Sequence, residues 1–538
     1  MAIREFAADK KRARVCFLGA MPDPDQLDYF KRRGYEPVRL TAQALSPTEL
    51  AVTDSVVLTQ HRSNLKSVYG ELARHAEQLL AFDCRIYVRV AAGVELQGRE
   101  RTTVVNALRR LRLPGAGLRP KERDTLDRDI REREGTPLAP YVYICDSAWT
   151  WDTIAQAIAD NPAGDPPNLS LLPEAFAAEG GRIKLDPEST LLLQRAFSDC
   201  DEVHLRRMQD GLSGVSVFRA YAKLTSGLEG RWPALYFVKL GARSAIGREY
   251  FNYRAHALQY IPFNLAPRLS LERCGLGARQ GIIVGDFVDQ AEALRDAACA
   301  GRSMHALGTL FSRTLAAWRH DAKRDDTRSI GQALDEFLPE TLRIPRERVA
   351  LMLRHFSAKP NLPEMRRLLA QCGAKPVLVG TIHGDLNPSN VLVRLSDAIL
   401  IDFEKLREGR PLVYDAASVE AGLLVDGFAL DKKRQLKKWL RSIEPLYDSH
   451  ELFEWHTPCH PKDGSSWFYD CVRQIRLQAR PLELAPGQYA AALAVALIRK
   501  SCNEHIFKDR RDSLRAAAYV LGERVLRLLT TPAGRGSL

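Results

Sequence analysis

No run of 18 or more apolar residues occurs in this 538-residue chain, so a membrane-spanning helix is not expected. The opening stretch, MAIREFAADKKRAR, is charged and lacks the apolar core of a secretory signal. The expectation is a cytoplasmic protein with no membrane partner. None of the ten cysteines forms a CxxC pair, and several, such as Cys16 in RVCFLGA and Cys145 in YVYICD, sit in apolar runs. They read as reduced, buried thiols. His456, Cys459 and His460, with Cys471 nearby, make one tight set where zinc sites usually show two, so no metal is expected there. No internal repeat is present.

What is present begins with size. The length implies two or three domains, and 45% apolar with 27% charged residues is the composition of an ordinary globular protein. The net charge of +12 favours anionic partners such as nucleotides. Much of that charge lies in mixed-sign stretches such as RPKERDTLDRDIRERE (119–134), which read as solvated faces. KKRQLKKWLR (432–441) is more one-sided, but nucleic-acid binding is not expected.

Short apolar runs recur at 14–20, 35–41, 54–60, 84–92 and 139–146, and helix-like stretches lie between them. The alternation predicts a doubly wound parallel sheet over residues 1–165. In size and order this unit resembles a two-component receiver or flavodoxin-like domain. Receivers carry a phosphoacceptor Asp at the end of the third strand and a Lys at the end of the fifth. Here those places hold Leu58, Thr59 and Gln60, and Cys145, Asp146 and Ser147. Asp23 and Asp25 lie in a Pro-flanked loop after the first strand. The resemblance therefore implies a regulatory or protein-docking role without phosphoacceptor chemistry. The Pro-, Gly- and Ala-rich stretch 162–188 has the composition of a boundary, and residues 166–200 are expected to be a linker and lead-in helix.

The strongest chemical signal is TIHGDLNPSNVLV (381–393), followed by AILIDFE (398–404). Phosphoryl transfer needs an aligned acceptor hydroxyl and neutralised phosphate charge. Asp385 can orient the hydroxyl and take its proton. Asn390 offers an amide oxygen and Asp402 a carboxylate, the hard oxygens that Mg²⁺ prefers. The two segments read as a catalytic loop and hairpin, 381–404, that bring these oxygens together.

HGDLNPSN and IDFE resemble the HGDxxxxN and IDxE motifs of the aminoglycoside phosphotransferase and choline kinase family, over residues of about 203–530. The resemblance implies a bilobal protein kinase-like domain, with a β-rich N-lobe (201–285) and a helical C-lobe (286–538), using ATP and Mg²⁺. Catalytic roles fall to Asp385, His383 and Asn390, with Asn390 and Asp402 as metal ligands. His383 is expected to brace the loop, and Asn387 stands where many members have His. In MQDGLSGVSVFRAYAKL (208–224), Gly211, Ser213, Gly214 and Ser216 would let backbone approach phosphates. Lys239, in the apolar strand WPALYFVKL (232–240), would hold them, and Glu249 would pair with Lys239. Asp286 to Val288 occupy the place of the adenine-binding hinge. Asp415 resembles the family's loop-bracing Asp.

From Asp402 to Asp415 the chain takes 13 steps, too few for the activation segment of a regulated protein kinase, and no Ala-Pro-Glu ending appears. The expected acceptor is therefore a small hydroxylated molecule. Two other readings stand beside it: a kinase-fold signalling or defence protein that phosphorylates a protein, and a nucleotide-binding regulatory scaffold without turnover.

Overall fold

The computed structural model describes residues 12–19, 21–40, 46–60, 79, 82, 84–90, 142–145, 149–160, 163–164, 166–208, 215–225, 233–277, 279–341, 343–426, 433–449, 452–453, 466–502 and 511–530. The fold is mixed α/β. It divides into two compact units, 1–247 with 269–287, and 248–268 with 288–538. No helix among the described residues is long and apolar enough to cross a membrane.

The first unit holds two sheets. One is parallel, with β1 (Arg14–Leu18), β2 (Glu36–Leu40), β3 (Thr53–Gln60), β4 (Arg85–Val90) and β5 (Val142–Cys145) in the order β2-β1-β3-β4-β5. Helices α1 (Pro24–Lys31), α2 (Pro47–Val52) and α3 (Trp151–Asp160) belong to this part. Apolar residues on α1 and α3 recur at helical spacing, so Phe30, Trp151, Ile154 and Ile158 close over Val15, Phe17, Val57 and Tyr87. Phe17 meets Phe30 and Trp151 edge-on, at centroid distances of 5.3 and 6.0 Å.

The second sheet comprises β6 (Glu174–Phe176), β7 (Arg182–Ile183), β8 (Cys200–Arg207), β9 (Ser216–Leu224), β10 (Pro233–Ala242), β11 (Gly275–Leu276) and β12 (Gln280–Asp286). Their order is β11-β12-β10-β9-β8-β6-β7. The stretch expected as linker is thus built in: β6 runs parallel to β8, and Ala175 is buried in the same core as Leu205 and Val238. Composition gave no hint of this, because three-residue strands are too short to show alternation. Helix α4 (Pro187–Ala196) is capped by the Asp186 carboxylate, which accepts from Ser189 N at 3.0 Å.

In the second unit β13 (Glu292–Ala293), β16 (Val391–Arg394) and β17 (Asp397–Leu400) form one small sheet. Another contains β14 (Lys323–Asp325), β15 (Val377–Ile382) and β18 (Arg407–Pro411). Helix α5 (Arg243–Asn252) crosses the division between the units at Gly247. The rest is largely helical: α6 (Arg346–Phe356), α7 (Leu362–Ala370), α8 (Val413–Asp426), α9 (Lys433–Ile443), α10 (Ser466–Ala479), α11 (Gln488–Ser501) and α12 (Arg511–Thr530). Helix α8 is buried from Val413 through Val425, as expected of a helix apolar all round. Its one buried acid at mid-helix, Glu420, accepts two bonds from Arg476 and one from the Tyr489 hydroxyl.

None of the nine described cysteines is in a disulfide, and Cys299 is exposed, since it ends a short helix rather than an apolar core strand. Cys471 is buried beside Ser303, and His456, Cys459 and His460 lie outside the described residues.

Candidate active site

Strand β15 ends at Ile382, and the loop that follows is held from several sides. The Asp415 carboxylate, at the start of α8, accepts from His383 N at 2.7 Å and Gly384 N at 3.1 Å. Gly384 sits at φ 74°, and a Cβ there would collide with the Lys405 carbonyl, so the turn requires glycine. The His383 ring is buried, with Nε2 3.0 Å from the Ile401 carbonyl. A carbonyl only accepts, so Nε2 carries the proton and donates. His383 thereby ties the loop to the segment that carries Asp402.

After Asp385 the chain folds tightly on itself. Asn387 N and Asn390 Nδ2 both donate to the Asp385 carbonyl, at 2.7 and 2.9 Å. With Nδ2 engaged there, the amide oxygen of Asn390 is turned away from that carbonyl and left to accept. Pro388 packs on α8 where Gly422 stands, and a Cβ at Gly422 would overlap the proline ring.

The hairpin β16–β17 then returns the chain. Ile401 N donates to Asn390 O at 3.0 Å, which places Asp402 one residue beyond the cross-strand partner of Asn390. Asp402 adopts φ 67°, a left-handed conformation that a non-glycine residue rarely takes without structural support. Support comes from Asn252, whose Nδ2 donates to the Phe403 and Glu404 carbonyls at 2.8 and 3.1 Å. Arg248 adds an ion pair to Glu404 at 2.5 Å.

The Asp385 carboxylate makes no hydrogen bond among the described residues. Burial acts to raise its pKa, but the charges of Lys500, Arg499, His383 and Lys405 outweigh burial and hold it below the ordinary value. Asp415 behaves oppositely. Complete burial pushes its pKa up, against the pull of His383 and the two backbone donors.

His383, Asp385, Asn390 and Asp402 are therefore brought together in the second unit, with Asp415 beneath them. Lys239 lies half-buried on β10 of the first unit, paired in register with Val217 and Ile283. Val238 and Leu240, on the opposite face of that strand, enter the core. Glu249 is buried on the part of α5 that belongs to the second unit. Asp286 ends β12 and is exposed, while Val288 opens the second unit's longer segment. Gly211, Ser213 and Gly214 lie outside the described residues; Ser216 begins β9. Among the described residues no group of three or more His, Cys, Asp or Glu converges as a metal site.

Sequence reasoning missed Arg499 and Lys500, at the end of α11. Arg499 Nη1 donates to the Gly384 carbonyl at 3.0 Å and lies 2.8 Å from the Tyr414 hydroxyl. The available signal was two adjacent cations closing an otherwise apolar helix, YAAALAVALIRK.

Residues 254–420 match the Phosphotransferase enzyme family, and residues 365–500 match the family described as Ternary complex associated domain 9. The first match spans the whole catalytic loop and hairpin; the second ends at Lys500. None of the curated proteins matches the chain. Among solved structures, similar chains include a thermostable mutant of aminoglycoside phosphotransferase APH(4)-Ia in ternary complex with AMP-PNP and hygromycin B. It is 13% identical, with 64% of this chain and 99% of that one covered at a TM-score of 0.34. Aminoglycoside phosphotransferase APH(3'')-Id from Streptomyces rimosus is 20% identical, with coverage of 54% and 99% and a TM-score of 0.29. Glucosamine kinase in complex with glucosamine, ADP and inorganic phosphate is 14% identical, with coverage of 65% and 86% and a TM-score of 0.33. Superpositions this loose carry no inference about activity. The segment that holds Asp385, Asn390 and Asp402 lies within the residues that match the phosphotransferase family.

Proposed function

We propose that the protein transfers the γ-phosphate of ATP to the hydroxyl of a small molecule. The observation that carries this reading is Asp385. Its backbone carbonyl is taken by two donors, its neighbours are pinned by Asp415 and His383, and its carboxylate alone is left without a hydrogen bond among the described residues. A group so fixed, ionised and available suits the reception of a proton from an acceptor hydroxyl. As the acceptor oxygen bonds to the γ-phosphorus, its proton passes to Asp385, and the bond from phosphorus to the bridging oxygen of ADP breaks.

Asn390 Oδ1 and the Asp402 carboxylate are the groups we assign to Mg²⁺. Two hard oxygen donors fit an ion that keeps several of its waters and takes further ligands from phosphates. The ion, when bound, would neutralise phosphate charge. Lys239 is assigned to the nucleotide phosphates, the segment 211–214 to phosphate contact and Asp286 to Val288 to the adenine. These assignments follow the motif resemblance.

For the N-terminal part we propose a regulatory or docking role. The order β2-β1-β3-β4-β5 is that of flavodoxin- and receiver-like sheets. Thr59 and Gln60 end its third strand, so no acyl phosphate is expected there.

Calorimetric titration of Mg-ATP tests the reading. Wild-type protein should bind in a metal-dependent way, and Asp402→Ala, checked for folding by its melting temperature, should not. Unchanged Mg-ATP affinity in a folded Asp402→Ala protein would remove the metal assignment.

A further inference from the structure

Among the described residues, five cations lie on the segment 405–410 and the end of α11, both of which adjoin the loop that presents Asp385. Three of them follow the hairpin, on the segment 405–410, and each is met by a glutamate. Lys405 Nζ lies 3.3 Å from Glu404, Arg407 Nη1 lies 3.4 Å from Glu336, and Arg410 Nε lies 2.6 Å from Glu336. Register brings this segment alongside the loop, because Arg407 pairs with Ile382 across β18 and β15.

Arg499 and Lys500 differ from these three. The partners of Arg499 are a carbonyl and a phenol, not a carboxylate. The Lys500 ammonium makes no ion pair or hydrogen bond among the described residues. It is half-buried, and burial depresses its pKa, with Arg515 and Arg499 pushing the same way and Asp385 and Asp426 pulling it back. Asp426 is already engaged by Arg515 at 2.8 Å. Asp385 is thus the remaining carboxylate in that set. Cations do suit the C-terminus of a helix. That preference is met equally well by a side chain extended into water, whereas a half-buried ammonium without a partner carries a desolvation cost.

We propose that the phosphate acceptor is an anionic alcohol, a hydroxyl compound bearing a carboxylate or phosphate, and that Lys500 with Arg499 receives its negative group. The proposal rests on the phosphotransferase reading of Asp385. An acceptor must bring its hydroxyl within hydrogen-bond reach of Asp385, and there it enters the field of both cations. An anion is drawn in by that field. A polycationic acceptor is opposed by two like charges, a built-in discrimination by repulsion.

The test uses the full chain with Mg-ATP and acceptors matched in skeleton but not in charge. One set is glucosamine, glucose, gluconate and glucose 6-phosphate; the other is glycerol and glycerate. ADP release and the mass of the product are measured. At least one anionic member should be phosphorylated, with kcat/KM about tenfold or more above its neutral and cationic counterparts, as one lost charged contact corresponds to about that factor. Lys500→Gln should raise KM for that anion about tenfold with kcat little changed. Lys500→Arg should restore it, and Lys500→Glu should reverse the preference. Melting temperatures confirm that each variant is folded. Preference for a neutral or cationic acceptor, no turnover of any anionic member by protein that binds Mg-ATP, or an unchanged KM in Lys500→Gln each overturns the proposal. Failure of wild-type protein to bind Mg-ATP would instead sink the phosphotransferase reading, and the proposal with it.

Discussion

Asp54, on β3 of the first unit, and Asp385, after β15 of the second, are both carboxylates drawn out of water, yet their surroundings differ. Asp54 is 1% exposed, and its two oxygens are matched to the Ser55 hydroxyl at 2.7 Å and Ala163 N at 2.9 Å. Burial raises its pKa in spite of those donors and the charges of Arg85 and Arg12. Asp385 has no donor on its carboxylate among the described residues, and nearby cations hold its pKa down. A carboxylate satisfied by short hydrogen bonds stabilises the fold and has little capacity left for a substrate. One stabilised only through space stays ionised and keeps its lone pairs available. Glu420 belongs with Asp54 in this respect: its partners, Arg476 and Tyr489, are all internal.

The comparison is broken most directly at Asp385. Asp385→Asn should lower the rate of transfer by about 10²–10⁴ while Mg-ATP binding, followed by calorimetry, stays near that of wild type. Full activity in that variant would mean that the proton goes elsewhere.

Glu420→Ala should do the reverse. It strands Arg476 in a fully buried site, and removing one partner of such a pair costs roughly 3–5 kcal/mol. Chemical denaturation measures this, and folded Glu420→Ala protein should keep its turnover number.

A smaller effect is expected at Asp54. Asn preserves an acceptor for one of the two donors, so Asp54→Asn should cost about 1 kcal/mol, visible as a shift in the denaturation midpoint. Turnover should not change. A large loss of turnover would show that the five-stranded parallel sheet takes part in the reaction.

The smallest effect concerns pH. With its pKa held down, Asp385 remains ionised as pH falls past the usual carboxylate range of about 4. Whatever stability its ionised form contributes is present above that range and is lost only as pH falls through the depressed value. Lys500→Gln removes the largest opposing charge, so the acid limb of kcat/KM should move to higher pH. An unmoved limb would mean that Lys500 does not act on Asp385.

The sequence by itself determined the elements whose signals are local. Apolar runs fixed where β1 to β5 lie, and the step from an apolar strand into His383-Gly384-Asp385 marked the loop. The spacing to Asn390 and Asp402 suffices for a hairpin, because cross-strand register follows from a two-residue turn. The composition of 162–188 misled, since strands as short as β6 and β7 owe their existence to the neighbouring β8 rather than to any pattern of their own. Lys239 was legible as a charge in an otherwise apolar strand, and its role remains a proposal. Only the tertiary structure set Arg499 beside Gly384, 115 residues away along the chain, and Lys500 within the field of Asp385. Asn252, which steadies the left-handed Asp402 from 151 and 152 residues away, was decided in the same way. Hydrogen bonds within a loop are written in adjacent residues, but charge acts through space, and which charges share a space is settled only when the helices pack.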